Sequence, residues 1–157
     1  MEFEWTSNQA ELQERVVAFA EANLNEDLEQ RDRDLVFDPE LWRKCAEFGI
    51  LGCNIPEEFG GGGRNIMRAA CLMEALGRGC RDNGLTLALN AQIWTINEPI
   101  LAFGSEEQKR KYLPRLCAGE IMAADAITEE RAGSDALSME TTARRNGDHY
   151  VLNGHKK

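Results

Sequence analysis

The chain has 157 residues, 43% of them hydrophobic, enough for one domain, or a domain and a piece of another, with a sizeable core. Its formal net charge of −9 argues against nucleic acid, which calls for a basic footprint, and against an anionic membrane surface, so an anionic ligand would need locally placed donors. Five cysteines without C-x-x-C spacing, and two histidines with no cysteine beside them, weaken metal and disulfide readings and point to a reduced intracellular setting.

The start, Met1-Glu-Phe-Glu-Trp5, is acidic and lacks an apolar h-region, which disfavours a transit peptide; a cytoplasmic location is expected. No run approaches the length of a membrane span. Thr6-x-x-Gln9 reads as a capping box opening a first helix, along which Leu12, Val16, Phe19 and Ala20 recur at helical spacing. Asn23 to Asp34 is almost wholly polar and reads as that helix's solvated end and a connection. Asp38-Pro39 then starts a second helix, with Asp at the N-cap and Pro at the first helical position. Leu41, Trp42, Cys45 and Phe48 form its buried stripe, Trp42 as core, and Gly49 ends it.

The next stretch, residues 49–63, reads as a short extended run followed by a glycine-rich turn. Four glycines invite a phosphate-loop reading, but no Lys-Ser/Thr follows, so Gly60 to Gly63 are read as a tight chain reversal. A third helix is predicted from about Asn65 to Leu76, closed by Gly77-Arg-Gly79. Leu85 to Phe103 is apolar nearly all round, the mark of a central helix, with Pro99 expected to kink or divide it. Its polar residues Asn90, Gln92, Thr95, Asn97 and Glu98 either line a ligand channel or find partners within the bundle. Ser105-x-x-Gln108 is a second capping box, and Pro114 falls near the finish of the helix it opens.

After residue 120 the period changes. Met122 to Ile127 and Met139 to Arg145 read as strands, Arg145-Asn-Gly-Asp148 as a two-residue hairpin turn, and His149 to Asn153 as the return strand. Between the first two lies Ala126-Ile-Thr-Glu-Glu-Arg-Ala-Gly-Ser-Asp135. Small residues after a strand let the backbone approach a ligand and leave N–H groups and a hydroxyl free for an anion. The loop alone is either a cofactor-phosphate loop or an ordinary turn. Three short strands with no closing partner would leave open edges, so the chain is expected to be truncated, with a β-domain completed elsewhere.

Taken together, Gly49-Ile-Leu-Gly52, Ile55-Pro-Glu-Glu-Phe-Gly-Gly61, Phe103-Gly-Ser-Glu-Glu-Gln-Lys109, Lys111-Tyr-Leu-Pro114, Gly119-Glu-Ile121, Ile127-Thr-Glu129, Ala132-Gly-Ser-Asp135 and Asn153-Gly154 resemble the acyl-CoA dehydrogenase family. The resemblance implies a mainly α fold: residues 1–120 as the N-terminal helical domain, residues 121–157 as the opening strands of an incomplete middle β-barrel, and the C-terminal helical bundle absent. It implies FAD and the oxidation of an acyl thioester, on CoA or an acyl-carrier protein, to its α,β-unsaturated form. Electrons would pass to an electron-transfer flavoprotein, and the full-length protein would be a homodimer or homotetramer. The family's usual base is a Glu of the C-terminal bundle, so no catalytic residue is assigned here and the fragment alone is expected to be inactive.

What carries over is one wall of a cofactor site. Thr128 matches the family's Thr or Ser against the flavin ring, while Gly133 and Ser134 match residues near the pyrophosphate. Ser134 can also touch the substrate's pantetheine arm, and Asp125, Ala126 and Ile127 lie on the adjoining strand. Glu130-Arg131 depart from the usual Thr-Glu-Pro-Gly pattern, and Asp125 stands where an aromatic is often found. The alternatives are a flavin oxidase or monooxygenase on the same fold, and a non-catalytic helical partner subunit.

Overall fold

The computed structural model describes residues 4–157; the first three residues of the acidic start lie outside the described ones. The chain divides into two compact units, Met1–Ala123 and Ala124–Lys157.

In the first unit, α1 (Ser7–Asn23) opens with the capping box the sequence spells: Thr6 accepts from the Gln9 backbone, and the Gln9 side chain accepts from the Thr6 N–H. Val16 and Ala20 are fully buried, and Phe19 stacks on Phe48 with ring centroids 4.2 Å apart. The polar stretch expected as a connection forms a short helix, α2 (Leu28–Asp34), between two residues of positive φ, Asp27 and Leu35. Its stability does not come from an apolar stripe, since none of its residues is buried. A side chain of the helix itself clamps it in place: Arg31 donates to the Leu24 carbonyl and pairs with Asp82 at 3.2 Å.

α3 (Pro39–Glu47) begins at the Asp38 cap and buries Leu41, Trp42 and Cys45, with Phe48 packed alongside. The extended run expected after Gly49 is instead a succession of turns, because the local backbone bonds close on themselves: Cys53 N–H to Ile50, Ile55 N–H to Gly52. A one-turn helix (Glu57–Phe59) follows. The glycine reversal is tight, since a Cβ on Gly61 would lie 2.0 Å from the Ile55 carbonyl oxygen.

α4 (Ile66–Gly79) is capped by Asn65 and runs through the Gly77-Arg-Gly79 expected to close it. The physical reason is close packing on α1: a Cβ on Gly79 would meet the Val17 carbonyl oxygen at 2.8 Å and the Ala20 Cβ at 2.9 Å. The apolar fourth segment is continuous but not uniform. It runs as α5 (Asn83–Asn90), a π-helical stretch (Ala91–Asn97) and α6 (Glu98–Phe103), with Pro99 directly after the π-helical stretch and the helical run continuing through it. α7 (Glu106–Cys117) carries the second capping box, Ser105 with Gln108, and holds Pro114 within its last turn. Two apolar clusters result. The larger joins α1, α3, α4 and α5; the smaller gathers Ile55, Phe59, Leu113 and Cys117, with Ile100 and Leu101 against it. All five cysteines are free and buried.

Met122 to Ile127, which runs from the end of the first unit into the second, forms no strand: no regular partner pairs with it among the described residues. A one-turn helix, Ala136–Ser138, precedes β1 (Thr142–Asn146), which starts three residues later than the pattern suggested. β2 (His149–Asn153) pairs antiparallel with it. The closing pair is Asn146 with His149, so the loop residues are Gly147 and Asp148, one step along from the expected Asn-Gly. Gly147 takes φ +65°, the left-handed conformation that glycine supplies without a Cβ clash. Every residue of both strands is exposed. No helix among the described residues is long and apolar enough to cross a membrane.

Candidate functional site

Asp125, Ala126, Ile127 and Thr128 lie in irregular, exposed chain at the start of the second unit. Gly133 and Ser134 are exposed too, and a Cβ on Gly133 would meet nothing within 4 Å. Between them the loop is closed by reciprocal backbone bonds, Glu129 N–H to the Ala132 carbonyl at 2.9 Å and Ala132 N–H to Glu129 at 3.3 Å. Ala132 is buried, which pins the loop's waist while its two ends stay outside.

Glu129 is the one buried acid of this loop. Its carboxylate accepts from the backbone N–H groups of Glu140 at 2.6 Å and Thr141 at 3.0 Å, and pairs with the Lys156 ammonium at 2.9 Å. The Thr141 hydroxyl lies beside it without a hydrogen bond of its own, so it acts as a nearby dipole. That hydroxyl first, then the Glu140 N–H and the Lys156 ammonium, hold the Glu129 carboxyl down at about 2. A carboxylate so committed is unsuited to take a proton at neutral pH. It organises the loop.

The chain's last described residues run back along the loop. Lys156 Nζ also donates to the Ile127 carbonyl at 2.8 Å, Lys157 N–H donates to the Thr128 carbonyl at 2.9 Å, and Lys157 Nζ pairs with Glu130 at 2.8 Å. The carbonyls of Ile127 and Thr128 are therefore occupied. The N–H groups of residues 125–128, 133 and 134, and the Thr128 and Ser134 hydroxyls, have no partner among the described residues. An exposed row of unpaired donors on a pinned loop suits a ligand rich in carbonyl and phosphate acceptors. Arg131 is exposed and in no ion pair among the described residues, while Glu129 pairs with Lys156 and Glu130 with Lys157.

The polar residues of the fourth segment find partners within the first unit. Gln92 Nε2 donates to Asn97 Oδ1 at 2.8 Å, Asn97 Nδ2 donates to the Leu51 carbonyl at 2.9 Å, and the Ala123 N–H donates to Gln92 Oε1 at 3.1 Å. Asn54 donates to Glu98, which also pairs with Arg64 at 3.2 Å. These contacts account for Gln92, Asn97 and Glu98 without a channel. Separately, α6 and α7 border an apolar hollow lined by Pro99, Ile100, Phe103, Tyr112, Leu116 and Met122. The sequence offered no sign of Lys156 as a partner of Glu129: the two are distant in the chain and neither sits in a periodic pattern.

A largely helical unit followed by an open hairpin, with a small-residue loop of free donors between them, defines a chain class that known proteins share. The sequence profile of the acyl-CoA dehydrogenase N-terminal domain matches residues 6–120. Over 156 residues the chain is 37% identical to L-prolyl-(peptidyl-carrier protein) dehydrogenase of Serratia sp., covering 99% of this chain and 40% of that protein. It is 36% identical over 150 residues to mitochondrial isovaleryl-CoA dehydrogenase of Bos taurus, covering 94% of this chain and 35% of that one. The solved structure of the prolyl acyl carrier protein oxidase AnaB superposes with a TM-score of 0.94 at 46% identity, covering 98% of this chain and 40% of that one. PigA, solved with FAD and proline, gives 0.92 at 37% identity, with the same coverage of 98% and 40%. The chain belongs to the acyl-CoA dehydrogenase family and spans about two fifths of the length of these relatives.

Proposed function

We propose that these residues form the N-terminal part of an FAD-dependent enzyme that oxidises an acyl thioester, with a prolyl group on a carrier protein as the favoured substrate. The observation that carries this reading is the 46% identity and 0.94 TM-score against a prolyl acyl carrier protein oxidase across 98% of the chain. In this reading residues 1–120 are the helical domain and residues 121–157 open the middle β-domain.

Asp125, Ala126, Ile127, Thr128, Gly133 and Ser134 would hold the cofactor. Their free N–H groups and hydroxyls fit its carbonyl and pyrophosphate oxygens. A bound FAD supplies the two-electron acceptor. Thr128 would offer its hydroxyl and N–H to the flavin ring, donors of the kind that stabilise negative charge there. Ser134 serves the pyrophosphate and the thioester's pantetheine arm. No catalytic base is assigned among these residues, and Glu129 is set aside because its oxygens are committed to Glu140, Thr141 and Lys156.

The word oxidase in the name of one relative and dehydrogenase in that of another separates two readings of electron disposal: molecular oxygen, or a protein acceptor such as an electron-transfer flavoprotein. The test uses protein expressed from the complete reading frame that contains these residues, loaded with FAD. Mixed anaerobically with prolyl carrier protein, it should bleach the flavin band, and isovaleryl-CoA should bleach it far less. Hydrogen peroxide released on admitting air marks an oxidase; its absence, with turnover on an electron-transfer flavoprotein, marks a dehydrogenase. Purified protein that takes up no FAD, or a flavin that no thioester bleaches, refutes the proposal.

A further inference from the structure

We propose, resting on the reading that residues 125–134 face a flavin, that Lys156 is a positioning residue: it is shared between the Glu129 carboxylate and the Ile127 carbonyl and so presents Thr128 to the cofactor. An ammonium has three donors and no acceptor. Two of them are spent here, 2.9 Å to Glu129 and 2.8 Å to Ile127, and Met139 Sδ stands 3.8 Å away. The residues they grip lie on either side of Thr128. The next residue along, Lys157, takes the Thr128 carbonyl with its own N–H at 2.9 Å.

Thr128 is thus held by its carbonyl and by both neighbours, while its N–H and hydroxyl stay outward and unpaired among the described residues. That is the arrangement a contact residue needs on a chain with no helix or strand of its own: the supporting shell fixes the backbone before the ligand arrives. The Lys156 side chain is only 21% exposed and that of Glu129 8%, so the pair is largely shielded from water. Glu129 in turn anchors to the backbone just before β1, through Glu140 and Thr141, which links the loop to the hairpin within the same unit. Arginine is not equivalent here, since a planar fork presents its donors differently from a compact ammonium.

The test compares K156M and K156R with the wild type in two measurements. In the 157-residue chain without flavin, amide hydrogen exchange at Glu129 and Ala132 should speed up by about tenfold or more in K156M, as expected for losing hydrogen bonds to a charged group. Exchange in the β1–β2 ladder should keep its rate, and K156R should resemble K156M. In the flavin-loaded full-length protein, K156M should weaken FAD retention by about tenfold and shift the flavin's visible band. Unchanged exchange at Glu129 and Ala132, or equal acceleration across the hairpin, overturns the positioning role. A loosened loop with unaltered flavin affinity and spectrum overturns its link to the cofactor. Wild-type protein that binds no FAD refutes the functional reading instead, while the exchange data still decide whether Lys156 fixes the loop.

Discussion

Replacing Asn97 by alanine removes the centre of a buried polar chain. Asn97 is fully buried, and its loss orphans the Leu51 carbonyl and the Gln92 side-chain N–H together. An unsatisfied buried polar group costs about 1–3 kcal/mol, so two of them cost about 2–6 kcal/mol. Gln92→Ala likewise orphans Asn97 Oδ1 and the Ala123 N–H. Because the Gln92–Asn97 bond is lost in either single variant, the double variant should cost less than the sum by about 1 kcal/mol. Urea unfolding followed by tryptophan fluorescence is suited to this, because Trp5, Trp42 and Trp94 all lie in the first unit. With a slope of about 2 kcal/mol per molar urea, N97A should lower the midpoint by about 1–3 M. A shift below about 0.3 M for N97A, or a cycle additive to within about 0.5 kcal/mol, refutes the claim that the chain is a coupled, buried network.

Two glycines of one helix should respond in opposite senses. Gly79→Ala forces a Cβ against the Val17 carbonyl and should destabilise by about 1–3 kcal/mol, whereas Gly77→Ala meets open space and should stabilise by about 0.5–1 kcal/mol, both read from thermal melts. Glu129 offers a pH test. Its carboxyl is lowered from 4.5 to about 2, so the ionised form favours the folded unit; that contribution is complete above about pH 4.5 and is lost as pH falls towards 2. The Glu140 amide shift should titrate with a midpoint near 2 and go flat in E129Q; a midpoint near 4.5 would count against the clamp. Burial pushes the Cys45 thiol up to about 12 and those of Cys53 and Cys117 to about 11. A disulfide reagent at pH 8 should therefore label the native chain slowly and all five cysteines in denaturant; fast native labelling would contradict their packing.

Local chemistry made much of the first unit legible. Thr6, Asp38, Asn65 and Ser105 cap helices because a short polar side chain satisfies the first free N–H groups, a rule that needs no tertiary knowledge. Where tertiary packing decides, the sequence misled. Gly77 and Gly79 looked like a stop, yet Gly79 is there so that α4 can touch α1. The polar α2 has no periodic stripe to announce it; its own Arg31 pairs with Asp82 from a distant part of the chain. Met122 to Ile127 has a strand's composition, but a strand needs a neighbour as well as a composition. The candidate loop was legible as a small-residue segment and by resemblance. The Lys156 clamp was not, since a contact between segments far apart in sequence leaves no periodic trace.

The π-helical stretch has a consequence for how one helix serves two cores. On a regular α-helix, Leu89 and Ile100 are eleven residues apart and would point within about 20° of each other, along a single line. Here Leu89 packs in the larger cluster, whereas Ile100 packs against the smaller one. The widened turn between them changes the phase of everything that follows, as a spacer on a shaft offsets one cam from the next. The length of residues 91–97 is thus itself a specification: losing one residue there would leave every side chain's chemistry intact and still aim the apolar face of α6 at the wrong neighbours.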